Sequence, residues 1–283
     1  MKISDEIATA YLKGQKVKQF SREWYYTSSA VAGTVGKNIF EEPKADTQTR
    51  EKVKTVYNSI SNIAKNFLPS NLHIWDALFP DWRNVLSEIS VDLIVGFPEP
   101  YDATVEYDPV GKCHIIFDLV CWVKYVGYCE LSEVVQNLMT HELCHVLLHK
   151  HTNGLAEALT NTDYRTQLDA ITFDEGFAHL ISYNAMEIDT VDWRDKKFEE
   201  IWERNQIRMK AAHNENIPEN QQKNLYDAIC GDYYDKFACM CGMLYLADVW
   251  LDGGLPALKS EFEKGYKDFS EKTVVHKKFL TTI

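Results

Sequence analysis

The pentapeptide His141-Glu142-Leu143-Cys144-His145 constrains this chain more than any other stretch. On an α-helix, positions i and i+4 lie one above the other on the same face, so both imidazoles reach one point in space with Glu142 beside it. Around it, Leu131-Ser-Glu-Val-Val-Gln-Asn-Leu-Met-Thr140 and Val146-Leu-Leu148 form an apolar run of helical spacing. Ser132 stands at the N-cap position and Glu133 in the first turn, where the helix dipole favours an anion. Two imidazoles and a carboxylate midway along a buried helix cost free energy unless they are paired or bind a cation. Core histidines with ordinary hydrogen-bond partners account for one of the rings more readily than for both. The spacing predicts a Zn²⁺ site with His141 and His145 as ligands and Glu142 as the base acting on a metal-bound water.

A catalytic zinc takes three protein ligands and keeps a position for water, and two residues compete for the third place. His151 stands at the spacing HExxHxxxxxH, which resembles the metzincin pattern, but the Gly at which that pattern turns is Leu148 here. A Leu is strained at the positive φ such a turn needs. Glu175 lies in Phe173-Asp-Glu-Gly-Phe-Ala-His-Leu-Ile-Ser-Tyr183, a second apolar stretch of helical spacing after the polar segment 152–167. From the first turn of an antiparallel helix its carboxylate completes a His₂Glu set. Thr172 and Glu175 also match a capping box, in which Glu175 bonds only the Thr172 backbone N–H, and both readings are open at this level.

These residues carry a family resemblance. Asp174-Glu-Gly-Phe-Ala178 resembles the NEGFA element of the gluzincins, the clan of thermolysin-like enzymes, and more closely that of the zinc aminopeptidases related to leukotriene A4 hydrolase, with Asp174 for the usual Asn. The resemblance implies Glu175 as the third zinc ligand. Tyr234-Asp-Lys-Phe-Ala-Cys-Met240 is similar to the YxKGxxx segment of the same enzymes and implies Tyr234 as the donor to the oxyanion. Phe237 replaces the Gly of that segment, and the adjacent Tyr233 is a rival. The GxMEN segment that holds a free amino terminus does not precede His141, so aminopeptidase specificity is not supported. The similarity covers roughly residues 90 to 250.

Three further polar residues share these stretches. Asp174 is the nearest carboxylate to orient a ligating imidazole. His179, at i+4 from Glu175, is a pocket residue or a simple helix pair. His149, at i+4 from His145, reads as the polar end of its helix.

A formal charge of −12 over 283 residues and a pI near 5.2 disfavour nucleic acid and anionic membrane as partners, and the peptide or protein substrate is what the HExxH motif and the gluzincin resemblance imply. No stretch has the length and apolarity of a transmembrane span, and the opening MKISDEIATAYLKGQKVKQF has no apolar core of a secretory signal. Seven Cys, an odd number without a CxxC pair, fit reduced thiols and a cytoplasmic location. Cys239 and Cys241 point apart on a continuous helix and read as core thiols.

Helical spacing at 4–20 and 47–67 flanks a Gly/Ser/Pro-containing stretch at 28–43. A β region follows at 91–97, 103–107 and 113–122, broken by Pro98-Glu-Pro100 and Asp108-Pro-Val-Gly111, its last two members forming a hairpin. Beyond residue 131 the pattern is helical, including 193–212 and 224–251, up to Asp252-Gly-Gly254. Residues 114–118 are the candidate sheet edge for an extended peptide. The expected architecture is α+β and zincin-like. A helical and small-sheet lobe (1–150) ends in the HExxH helix, a helical lobe (151–283) supplies Glu175 and Tyr234, and a cleft between them makes one catalytic unit. The expected function is zinc-dependent peptide-bond hydrolysis. The alternatives are a non-hydrolytic zinc-containing binding protein, which would have no use for Glu142, and a metzincin-like peptidase using His151. Nothing in the sequence specifies an oligomeric state.

Overall fold

In chain order the elements of the computed structural model are β1 (Lys2–Ser4), α1 (Glu6–Leu12), α2 (Trp24–Thr27), α3 (Thr47–Lys65), α4 (Leu72–Leu78), α5 (Trp82–Glu88), β2 (Ser90–Ile94), β3 (Ala103–Tyr107), β4 (Cys113–Asp118), α6 (Leu131–His151), α7 (Leu155–Leu159), α8 (Tyr164–Ser182), α9 (Lys196–His213), α10 (Pro218–Ile229), α11 (Phe237–Lys264) and α12 (Phe269–Val275). The structure describes residues 1–27, 37–99 and 102–277; much of the 28–43 stretch and Pro100 of the Pro98-Glu-Pro100 turn lie outside them. The chain is α+β and forms two compact units. One comprises Met1–Leu68 and Asp81–Glu142, the other Pro69–Pro80 and Leu143–Ile283. The division falls within α6, and a short excursion of the N-terminal part belongs to the second unit.

In the first unit, Asp46 caps α3 by accepting the Thr49 N–H at 2.9 Å, and Val53, Val56, Ile60 and Ala64 line its buried face at helical spacing. The sheet has the order β1-β2-β4-β3, with β1, β2 and β4 parallel and β3 antiparallel to β4. All five residues of β2 are buried, as expected of a parallel strand covered on both faces. The hairpin of β3 and β4 agrees with the sequence. The proposed edge does not, because residues 114–118 pair with β2 on one side and β3 on the other. Their backbone groups are consumed in two ladders, which leaves none for an added strand; the edge strands are β1 and β3.

Helix α6 begins at Leu131, so Ser132 lies inside it, and the Glu130 carbonyl accepts from the N–H groups of Glu133 (3.0 Å) and Val134 (3.2 Å). It runs through Leu148 without turning and closes with Thr152 N–H on the Leu148 carbonyl at 2.8 Å.

In the second unit, α8 starts at an Asp163 cap that accepts the Thr166 N–H at 2.8 Å, well before the start expected near residue 173. Thr172 therefore sits mid-helix, its hydroxyl donating to the Leu168 carbonyl at 2.7 Å, and no capping box forms with Glu175. Helix α11 is buried nearly all round from Phe237 to Ala247, as a central core helix must be. It packs on α8 at a point where both helices carry glycine. A Cβ on Gly242 would stand 2.2 Å from the Thr172 carbonyl oxygen and 2.8 Å from Gly176 Cα. The Gly of the EGFA element is thus a backbone-contact residue. At Gly254 (φ 57°, ψ −150°) α11 kinks, where the Asp-Gly-Gly break was expected, and it resumes through Pro256.

The excursion Pro69–Pro80 is held by Asn71, which is fully buried in a left-handed conformation that Asn tolerates. Its amide donates to the carbonyls of Ile181 (2.9 Å) and Met186 (3.0 Å), and its oxygen accepts the Ile188 N–H at 2.6 Å.

Candidate metal centre

Helices α6 and α8 carry the chemistry. His145 presents its two ring nitrogens to two different carboxylates of α8. Nδ1 lies 2.9 Å from Asp174 Oδ2, and Nε2 lies 3.9 Å from Glu175 Oε1. A carboxylate beside one ring nitrogen with the other nitrogen toward a second carboxylate is the usual arrangement around a ligating imidazole, in which the first would hold the proton and leave the second nitrogen's lone pair to a cation. Glu175 is approached on its other oxygen by His179, Nε2 to Oε2 3.3 Å, one helical turn on. His141 stands one turn before His145 on α6, and the ligand atoms of His141, Glu175 and His179 all lie within 4.8 Å of one another. His145, His149 and Asp174 form a second group of the same kind.

Ligand atoms around a tetrahedral zinc at ~2.0–2.1 Å stand about 3.4 Å apart, so the 3.3 and 3.9 Å separations at Glu175 are of the right size. Imidazole nitrogens with one carboxylate are also a donor set zinc accepts. The set brought within one ion's reach is His141, Glu175 and His179, whose donors fit zinc, while His145 falls in the other group and approaches Glu175 only at 3.9 Å. Glu142, half-buried, is the neighbour of His141 on α6.

Asp174 is only 5% exposed. Burial works against its charged form, but His145 and then His149 outweigh burial and hold the carboxyl below the ordinary range. Its Oδ2 also meets His149 Nε2 at 3.1 Å, while Oδ1 is buried with no hydrogen-bond partner. Cys239, on α11, donates its thiol to Glu175 Oε2 at 3.5 Å and to the Ala228 carbonyl at 3.6 Å. Burial, and next the Glu175 charge, push this thiol well above its ordinary value, so Cys239 is a neutral donor to Glu175 and not a thiolate ligand. Cys241 is a buried core thiol as expected, and none of the seven cysteines is in a disulfide.

The two tyrosines separate. Tyr233 sets its ring edge-on to His179 at 5.3 Å, and its phenol is pushed up by burial and, more weakly, by groups that include Glu175. Tyr234 instead pairs its hydroxyl with that of Tyr183 at 3.1 Å and is pushed up to about 12, first by burial and then by that hydrogen bond. The Tyr234 carbonyl accepts from Asn205 Nδ2 at 2.8 Å. The residue packed on His179 is therefore Tyr233. His151 remains on α6, its ring 5.8 Å from that of Phe79, and neither candidate ligand group among the described residues includes it.

The bond between His149 and Asp174 escaped the sequence reading, although His141, His145 and His149 repeat at the i, i+4, i+8 interval of one helix face. No protein-family model, curated protein or solved structure matches the chain. Among the described residues, no helix is long and apolar enough to cross a membrane.

Proposed function

We propose that this chain is a zinc-dependent peptide hydrolase in which His141, His145 and Glu175 hold the ion and Glu142 is the general base. The observation that carries the reading is His145, whose Nδ1 lies 2.9 Å from Asp174 and whose Nε2 lies 3.9 Å from Glu175. When bound, zinc acidifies a water and polarises the scissile carbonyl. Glu142 takes the proton from that water and returns it to the leaving amine. Asp174 keeps His145 in its productive tautomer. Peptides as the substrate class, and the cytoplasm as the location, rest on the gluzincin resemblance and on the reduced cysteines respectively.

A second reading is favoured by His179. If it joins His141, His145 and Glu175, four protein donors close the coordination sphere and the ion is structural, as in a zinc-containing binding protein. Metal content after dialysis against a weak chelator separates the two. The hydrolase reading expects one zinc at this centre, lost in Glu175→Ala and in His141→Ala, with His179→Ala keeping both the metal and the peptidase activity. Loss of zinc in His179→Ala, with a parent inert on a peptide library, would establish the binding protein instead.

The oxyanion donor in this proposal is Tyr233, because it packs against His179 beside Glu175. Tyr233→Phe is expected to lower kcat by about 10²–10³-fold with little change in KM, the signature of a contact made only in the transition state. Tyr234→Phe is expected to leave kcat within a few-fold, on the order of a surface change. Steady-state kinetics in which the two effects are interchanged would return the role to Tyr234.

A further inference from the structure

We propose that His145, His149 and Asp174 hold a second divalent transition-metal ion, and that the His145 ring bridges the two ions. The proposal rests on the zinc reading above for the ion on the Nε2 side only. Two imidazole nitrogens, His145 Nδ1 at 2.9 Å and His149 Nε2 at 3.1 Å, converge on one oxygen of Asp174. Its other oxygen is buried and has no hydrogen-bond partner, a costly state for a carboxylate and one that leaves a further lone pair to offer a cation. The three ligand atoms already lie within 4.8 Å of one another, so closing on an ion needs only side-chain adjustment. Two imidazoles and one carboxylate favour zinc, copper or cobalt over magnesium and calcium, which demand oxygen.

The charge balance also closes. With one ion present, His145 carries its proton on Nδ1 facing Asp174. Entry of the second ion forms an Nδ1–metal bond and breaks the N–H bond, the proton leaves to solvent, and no electron is transferred. The resulting imidazolate and the Asp174 carboxylate together offset the added dipositive charge where neither side chain is more than 15% exposed. His149, with 27% of its side chain exposed, gives the ion a route in from water.

The test is titration of the chelator-stripped full chain with Zn²⁺ by calorimetry in buffers of different ionisation enthalpy, with metal content measured by atomic emission. The expected result is two zinc ions per chain, the second releasing one proton more than a simple ligand exchange, and one zinc per chain in His149→Ala. His149→Gln, which keeps a polar side chain at this partly exposed position, should show the same drop while circular dichroism stays that of the parent. A parent that binds one zinc, lost in His141→Ala and kept in His149→Ala, overturns the second site and leaves the hydrolase reading standing. One zinc lost in His149→Ala but kept in His141→Ala supports this site and overturns that reading. Two ions without the extra proton overturn the bridge.

Discussion

If the chain is the proposed hydrolase, Glu142→Gln is expected to lower kcat for peptide hydrolysis by about 10²–10⁴-fold while zinc content stays that of the parent. The amide keeps the shape of the side chain but has no lone pair basic enough to take a proton from water. Because Glu142 follows His141 on α6 and belongs to neither candidate ligand group among the described residues, its replacement leaves the donors in place. A hydrolase thus loses turnover and keeps its metal, whereas loss of metal in the variant would make Glu142 a ligand. A variant that cleaves as fast as the parent would remove Glu142, and with it the proposed mechanism.

Gly242→Ala is the second large effect, and it acts from behind the centre. The added methyl would fall 2.2 Å from the Thr172 carbonyl oxygen and 2.8 Å from Gly176 Cα, backbone atoms of α8 that have no rotamer to give way with. Helices α8 and α11 must part. Overpacking of this kind costs on the order of 3 kcal/mol, equivalent to a fall of roughly 6–12 °C in the thermal midpoint of a unit this size. Thr172 and Gly176 bracket Glu175, and Cys239 on α11 bonds Glu175, so the same substitution is expected to weaken zinc binding as well. Thermal melting followed at the helical circular-dichroism band measures the first effect and zinc calorimetry the second. An unmoved midpoint would mean that the helices have slack at this crossing.

Periodicity made much of this architecture legible. The apolar spacing of 47–67 became α3, the alternating residues around the Asp108-Pro-Val-Gly111 turn became the hairpin of β3 and β4, and the run around His141 became α6. Strand β1 escaped because three residues, Lys2–Ser4, are too few to show alternation. The start of α8 was misplaced because Thr172 and Glu175 imitate a capping box, while the true cap, Asp163, precedes a polar first turn that periodicity does not mark. Strand order was not legible in 114–118, since a strand's own residues do not name its neighbours. At the centre, helical spacing singled out His141 and His145 and the resemblance pointed to Glu175, whereas the grouping of His179 with His141 and Glu175 depended on which helices pack together. The choice between Tyr233 and Tyr234 depended on a 3₁₀ turn at Tyr233–Asp235 that sends adjacent side chains to different partners.

The buried amide of Asn71 finds its partners 110 to 117 residues farther along the chain. A ribosome building this protein from its N-terminus therefore makes the whole of Asp81–Glu142 before the segment Pro69–Pro80 has anywhere to dock. Until Ile188 has emerged, Ile74 and Trp75, both fully buried in the finished fold, remain available to water or to a chaperone. The two units are interleaved in the order of their synthesis, and no single cut in the polypeptide releases either one whole.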